Sequence, residues 1–159
     1  MHPLLAGIQV RSQINRAERE FTFDAAISFA GEDRAYASEL AGLLVGRGIK
    51  VFYDDFQKSS LWGKNLYDHL SDVYENQARF CILLLSEQYA RKRWTKLERQ
   101  AAQARSFTGD TEYILPVRLD NSQIPGIFST VSYLDWNSEG CAGVAARFLE
   151  KLRSVKGIQ

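Results

Sequence analysis

Arg79-Phe80-Cys81-Ile82-Leu83-Leu84-Leu85 decides the fold. After its first residue the run is apolar without alternation. A strand wetted on one face alternates polar and apolar side chains. An unbroken apolar run marks a strand covered on both faces, the situation of a parallel sheet layered between helices. Upstream, Phe23-Asp24-Ala25-Ala26-Ile27-Ser28-Phe29 is a first strand signal. It runs into Ala30-Gly31-Glu32-Asp33, a turn that caps a helix, with acids favouring the helix N-terminus. That helix covers Asp33 to Arg47. Its apolar positions Tyr36, Leu40, Leu43 and Leu44 follow the 3.6-residue period, and Gly48 stops it.

Ile49 to Tyr53 reads as a second strand. A polar loop follows, Asp54 to Gly63, with aromatics at both ends, and then a helix from Lys64 to Asn76. Beyond the deciding run, Ser86 caps a short helix and Trp94 to Phe107 forms a second helical piece. Tyr113 to Val117 is a fourth strand and Val131 to Leu134 a short fifth. Glu139 to Val155 closes the chain as a helix with Val144, Phe148 and Leu152 on one face. Strands alternating with helices define an α/β domain with a parallel sheet. Five strands joined by right-handed crossovers give a flavodoxin-like order, 2-1-3-4-5, with helices on both faces. Residues 1–20 read as a weakly helical leader, 21–155 as the domain and 156–159 as a tail.

In such a sheet ligands bind beyond the carboxyl ends of the strands, at the switch point between strands one and three. The lining is then the loop Phe29 to Arg34, the loop Asp54 to Gly63, and the segment Ser86 to Glu98. Phe29 to Arg34 offers the Phe29 ring and the Gly31 backbone, but read alone it is more readily a helix cap with a salt bridge. Trp62, on a polar loop, is either a pocket wall or packing under the following helix. Trp94 and Glu98 are neighbours on one helix face, where an indole shields a carboxylate and supplies a stacking surface. Their alternative is a core stripe of Trp94, Leu97, Ala101 and Ala104, with Glu98 solvated and paired to Arg91 or Arg105.

Composition excludes several classes. The 159 residues fit one domain, and 20 basic against 19 acidic residues leave a charge of +1. That balance gives no electrostatic footprint for nucleic acid or an anionic membrane. No apolar run reaches membrane-spanning length, and Met1 to Val10 lacks the basic start and apolar centre of a secretion signal. Cys81 and Cys141 read as buried, reduced thiols, which points to the cytoplasm. No G-x-G-x-x-G and no P-loop is present. His69 stands alone, and no His, Cys or carboxylate group has metal spacing.

Taken in order, four segments resemble the TIR domain family in its bacterial form. They are Phe23 through Asp33, Gly48-Ile49-Lys50-Val51-Phe52-Tyr53-Asp54, Leu83-Leu84-Leu85-Ser86-Glu87-Gln88-Tyr89 and Trp94-Thr95-Lys96-Leu97-Glu98. The resemblance spans Phe23 to Arg153. It implies cleavage of the nicotinamide–ribose bond of NAD, with NAD as substrate and no separate cofactor. Glu98 matches the family's catalytic glutamate in its W-x-x-x-E spacing with Trp94. Phe29, Ala30, Gly31, Arg34, Trp62, Ser86, Tyr89 and Trp94 become the candidate substrate-binding residues. The loop Asp54 to Gly63 matches the segment that covers the site and joins neighbouring copies into a homo-oligomer. Adaptor members carry a proline there and this chain does not, which favours the enzyme. By analogy the setting is bacterial antiphage signalling with a separate sensor or effector protein. Two other readings stand beside it: a non-catalytic self-assembling module, and a nucleoside deoxyribosyltransferase-like enzyme.

Overall fold

In the computed structural model, residues 20–53, 73–92, 114–122 and 132–156 are described. The deciding run is β3 (Ala78–Leu85), buried at every position. It pairs in parallel with β1 (Phe23–Ser28), placing Ala25 against Phe80 and Ile27 against Ile82. On its other side lies β4 (Ile114–Arg118), with Ile82 against Leu115 and Leu84 against Val117. Two short outer strands complete the sheet: β2 (Val51–Phe52) beside β1 and β5 (Leu134–Asp135) beside β4. The order is β2-β1-β3-β4-β5, all parallel, as the alternation of elements required.

β1 leads through a 3-10 turn (Gly31–Asp33) into α1 (Arg34–Gly46). The buried stripe of α1 is Ala37, Leu40, Ala41 and Leu44. This corrects two expected core positions: Tyr36 and Leu43 are 38% and 40% exposed. The two alanines take their place because a small side chain lets the helix sit close to the sheet. Tyr36 instead sets its ring edge-on to Trp136, 5.2 Å between centroids. Gly48 ends α1 at φ 79, and Ile49 N–H and Gly48 N–H reach back to the Leu44 and Val45 carbonyls. That is a Schellman ending, in which glycine supplies the left-handed residue.

β2 is shorter than the expected Ile49 to Tyr53: the ladder with β1 is confined to Val51 and Phe52, with the Lys50 carbonyl accepting the Asp24 and Ala25 N–H groups just before it. β5 falls at Leu134–Asp135 and not at Val131 to Leu134. Its place is set by the register Val117 to Leu134 with β4, whereas Tyr133 is 41% exposed and turns toward Arg118, 5.5 Å from ring to guanidinium. The helix expected over Lys64 to Asn76 is described only at its end, as a π-helical turn (Val73–Gln77). The expected piece from Trp94 to Phe107 lies outside the described residues. α2 (Glu87–Lys92) follows β3, and α3 (Trp136–Lys156) closes the chain, broken at Gly140 (φ 71, ψ 170). The expected start at Glu139 corresponds to the second, longer piece. α1 and α3 pack against each other, and α3 turns Val144, Phe148 and Leu152 into the core. Cys81 and Cys141 are buried and free. Among the described residues no helix is long and apolar enough to cross a membrane.

Candidate functional site

The site region is the carboxyl edge of the sheet, where β1 and β3 end side by side. Past Ser28 come Phe29 and an extended Ala30 before the 3-10 turn. Phe29 and Ala30 are 2% and 0% exposed. Gly31 is exposed, and a Cβ there would meet nothing within 4 Å. The fold therefore makes no steric demand for glycine at this position. Arg34, first residue of α1, is half-buried. Its guanidinium lies 4.9 Å from the Phe29 ring centroid and 5.9 Å from that of Tyr53, and its Nη1 donates to the Tyr53 hydroxyl at 3.4 Å. Two aromatic rings hold this cation at the edge, an arrangement suited to arginine's delocalised charge.

Asp33 departs from expectation. It stands at the N-cap of α1 but makes no side-chain capping bond there. Its carboxylate instead accepts the Ser86 hydroxyl across the sheet edge. Ser86 Oγ in turn accepts the Tyr89 N–H at 3.1 Å, so Ser86 does cap α2 as its position predicted. The Tyr89 hydroxyl then shares a hydrogen bond with Ser28 Oγ at 2.9 Å. The result is an enclosed polar chain, Asp33–Ser86–Tyr89–Ser28, linking the ends of β1 and β3. Burial raises the Asp33 pKa. The Ser86 hydrogen bond opposes that rise, while the nearby charges of Asp120 and Glu32 add to it.

Sequence reading missed Asp120 and Arg118. Asp120 follows β4, and its Oδ2 accepts the Glu87 N–H at 3.0 Å while Oδ1 accepts the Ser122 N–H at 2.9 Å. Burial would raise its pKa, but those two backbone donors, the Ser122 side chain and the charge of Arg118 outweigh it and hold the group low. Arg118 shapes the loop by donating to the carbonyls of Asp120 and Asn121, both at 2.9 Å. The Asp-Asn-Ser composition of residues 120–122 was the available turn signal.

Of the predicted site residues, Phe29, Ala30, Gly31, Arg34, Ser86 and Tyr89 gather at this edge. Ser86 and Tyr89 are 2% and 0% exposed, so they and Phe29 shape the floor and offer no open ring face for stacking. Gly31 and Arg34 are the accessible members. Trp62, Trp94, Glu98 and the loop Asp54 to Gly63 lie outside the described residues. Among the described residues no group of His, Cys, Asp and Glu could hold a metal ion.

A parallel 2-1-3-4-5 sheet with a polar site beyond strands one and three defines a class of α/β domains, and comparison with known proteins narrows it. The model of the TIR domain family matches residues 26–152. The chain is 45% identical over 135 residues to the 3' cyclic ADP-D-ribose synthase AaTIR of Aquimarina amphilecti, which covers 85% of this chain and 41% of that protein. It is 33% identical over 104 residues to the NAD(+) hydrolase TcpA of a Theionarchaea archaeon, covering 63% of this chain and 30% of the relative. Among solved structures, the TIR domain of the Toll-related receptor TRR-2 from Hydra magnipapillata superposes with a TM-score of 0.64 at 23% identity, covering 83% of this chain and 99% of that one. This chain belongs to the TIR domain family. It spans less than half the length of the two enzymes it resembles.

Proposed function

We propose that this protein cleaves the bond between nicotinamide and ribose in NAD, releasing nicotinamide and either ADP-ribose or a cyclic ADP-ribose. The likeness at 45% identity to a protein named as a cyclic ADP-D-ribose synthase carries the reading. The geometry supports it: a cation lies on an aromatic floor at the switch point, a setting fit for a dinucleotide's pyrophosphate. Residues 21–155 form the working domain, flanked by 1–20 and 156–159.

The chemistry needs few groups. Nicotinamide departs as a neutral molecule from a cationic pyridinium, so no strong general acid is required. The ribose left behind resembles an oxocarbenium ion, as in glycoside hydrolysis. Glu98 is the carboxylate assigned to stabilise that charge, with Trp94 four residues before it in the sequence. Arg34 holds the pyrophosphate, Gly31 gives its backbone close approach, and Trp62 forms a wall. Phe29, Ala30, Ser86 and Tyr89 shape the floor beneath. Water attack gives ADP-ribose; attack by an atom of the same molecule gives the cyclic product. The active form is a homo-oligomer joined through the loop Asp54 to Gly63. It works in the cytoplasm in antiphage signalling, alongside a separate sensor or effector.

The test is incubation of concentrated protein with NAD, with products resolved by chromatography and mass spectrometry. The wild type is expected to release nicotinamide. Glu98→Gln, folded to the same melting temperature, is expected to lose turnover by roughly a hundredfold or more. Full turnover in that variant refutes the assignment. A wild type that leaves NAD intact in the assembled state refutes the activity.

A further inference from the structure

The enclosed chain Asp33–Ser86–Tyr89–Ser28 takes no part in the chemistry above, yet it is costly to keep. Asp33 is an acid only 7% exposed, with Glu32 and Asp120 adding like charge. An apolar pair of similar volume would join the ends of β1 and β3 at lower cost. The polar pair supplies direction, which an apolar contact lacks. The Ser86 hydroxyl has one proton, given to Asp33, and its oxygen takes the Tyr89 N–H. That fixes the serine rotamer and the first turn of α2 together. Asp120, arriving from the end of β4, takes the Glu87 N–H. Two free donors of α2 are thus assigned to groups held by other parts of the fold. α2 has six residues, too few to hold a helix by its own hydrogen bonds. It cannot turn about its axis or slide along it without breaking one of these bonds.

We propose that Asp33 and Ser86 form a positioning pair that sets the rotation and axial place of α2, and through it the chain leaving at Lys92, six residues before Glu98. Both side chains are enclosed, so they act through α2 and not by touching substrate. The geometry of the pair stands by itself; its catalytic consequence rests on the NAD-cleaving reading.

The experiment compares Ser86→Ala, Asp33→Ala, Asp33→Asn and the double Ser86→Ala/Asp33→Ala in the full chain. Each is measured for kcat and KM with NAD, and for amide hydrogen exchange over 87–92. Ser86→Ala and Asp33→Ala are each expected to lower kcat roughly tenfold to a hundredfold, the scale of a small misplacement of a reacting group. KM should stay within about twofold. The double variant should be no worse than either single, since the pair acts as a unit. Asp33→Asn keeps an acceptor for the hydroxyl and should restore most of kcat, which a general loss of stability would not do. Exchange over 87–92 should quicken in the two alanine variants and not in Asp33→Asn. Should Ser86→Ala fail to fold, Ser86→Cys keeps the size with a weaker donor and takes its place. Wild-type kcat in both alanine variants, or losses that multiply in the double, overturns the pair. If the wild type leaves NAD intact, the enzymatic reading falls and the exchange arm decides alone. Unchanged protection in Ser86→Ala then overturns the pair; quickened exchange spared in Asp33→Asn sustains it.

Discussion

Replacing Phe148 by alanine isolates the contact between α3 and the sheet. Phe148 is 3% exposed, and its ring meets that of Phe80 edge to face, 5.8 Å between centroids at 86°. Burying such a ring contributes about 1.5–3 kcal/mol by transfer from water. The edge-to-face pair adds about 0.5–1.5 kcal/mol. The vacancy left behind brings the usual cost of removing a core phenylalanine to about 3–5 kcal/mol. Phe148 also lines an apolar cleft of about 190 Å³ between α3 and the strands, so the void opens onto existing space and its neighbours have little drive to close it. A loss of about 4 kcal/mol is expected. That is a large share of the roughly 5–15 kcal/mol that holds a domain folded. In urea, with a slope near 2 kcal/mol/M, the midpoint should fall by about 2 M. Phe80→Leu and the double variant then give a coupling of about 1 kcal/mol for the ring pair. α3 carries no candidate site residue, so NAD turnover per folded molecule should not change. A loss under about 1.5 kcal/mol at unchanged slope would refute the packing of α3 on β3.

Three further outcomes follow from the geometry. Asp33 has its pKa raised in the folded protein, so its favourable contribution is full below the unfolded carboxylate value and is lost as pH rises through the folded one. Asp33→Asn should therefore flatten the fall in melting temperature across that window and match or exceed the wild type at neutral pH; a variant less stable than wild type at pH 7 contradicts the burial argument. Burial, with Glu39 adding to it, pushes the Cys141 thiol up to about 11, leaving a thiolate share on the order of one in a thousand at pH 8. A thiol reagent should label Cys141 only after denaturant is added, and rapid native labelling would show the site to be open. Gly140 holds φ 71 and ψ 170, a region only glycine enters freely, so Gly140→Ala should cost about 1–3 kcal/mol in urea unfolding, with no measurable loss counting against the kink.

The central layer was legible because its signal is local. The unbroken run from Phe80 to Leu85 could only be a strand covered twice, and β1, α1 and their connection follow from spacing along the chain. The outer strands were placed less well, since two-residue strands have no pattern of their own and take their position from a partner's register. α1 was read by its conspicuous apolar residues, Tyr36 and Leu43, while the alanines that meet the sheet carry little signal. At the site, position was readable and partnership was not. Ser86 was recognised as a cap from its place before α2. Asp33 was assigned the same local task at α1, but a hydroxyl 53 residues away competes for it and wins. Asp120 escaped notice because a lone acid after a strand looks like any turn residue until Glu87 is seen to donate to it. The resemblance, carried by four segments in order, reached the family, whose model matches residues 26–152.

Among the described residues the sheet ends on both sides in strands of only two residues, Val51–Phe52 and Leu134–Asp135. A second molecule arriving at either rim finds too little backbone to lengthen the ladder. On the proposed assembly, contacts between copies would therefore use side chains on loops and helix faces. Such contacts would be open to tuning by single surface substitutions, leaving the hydrogen-bonded interior of each copy untouched.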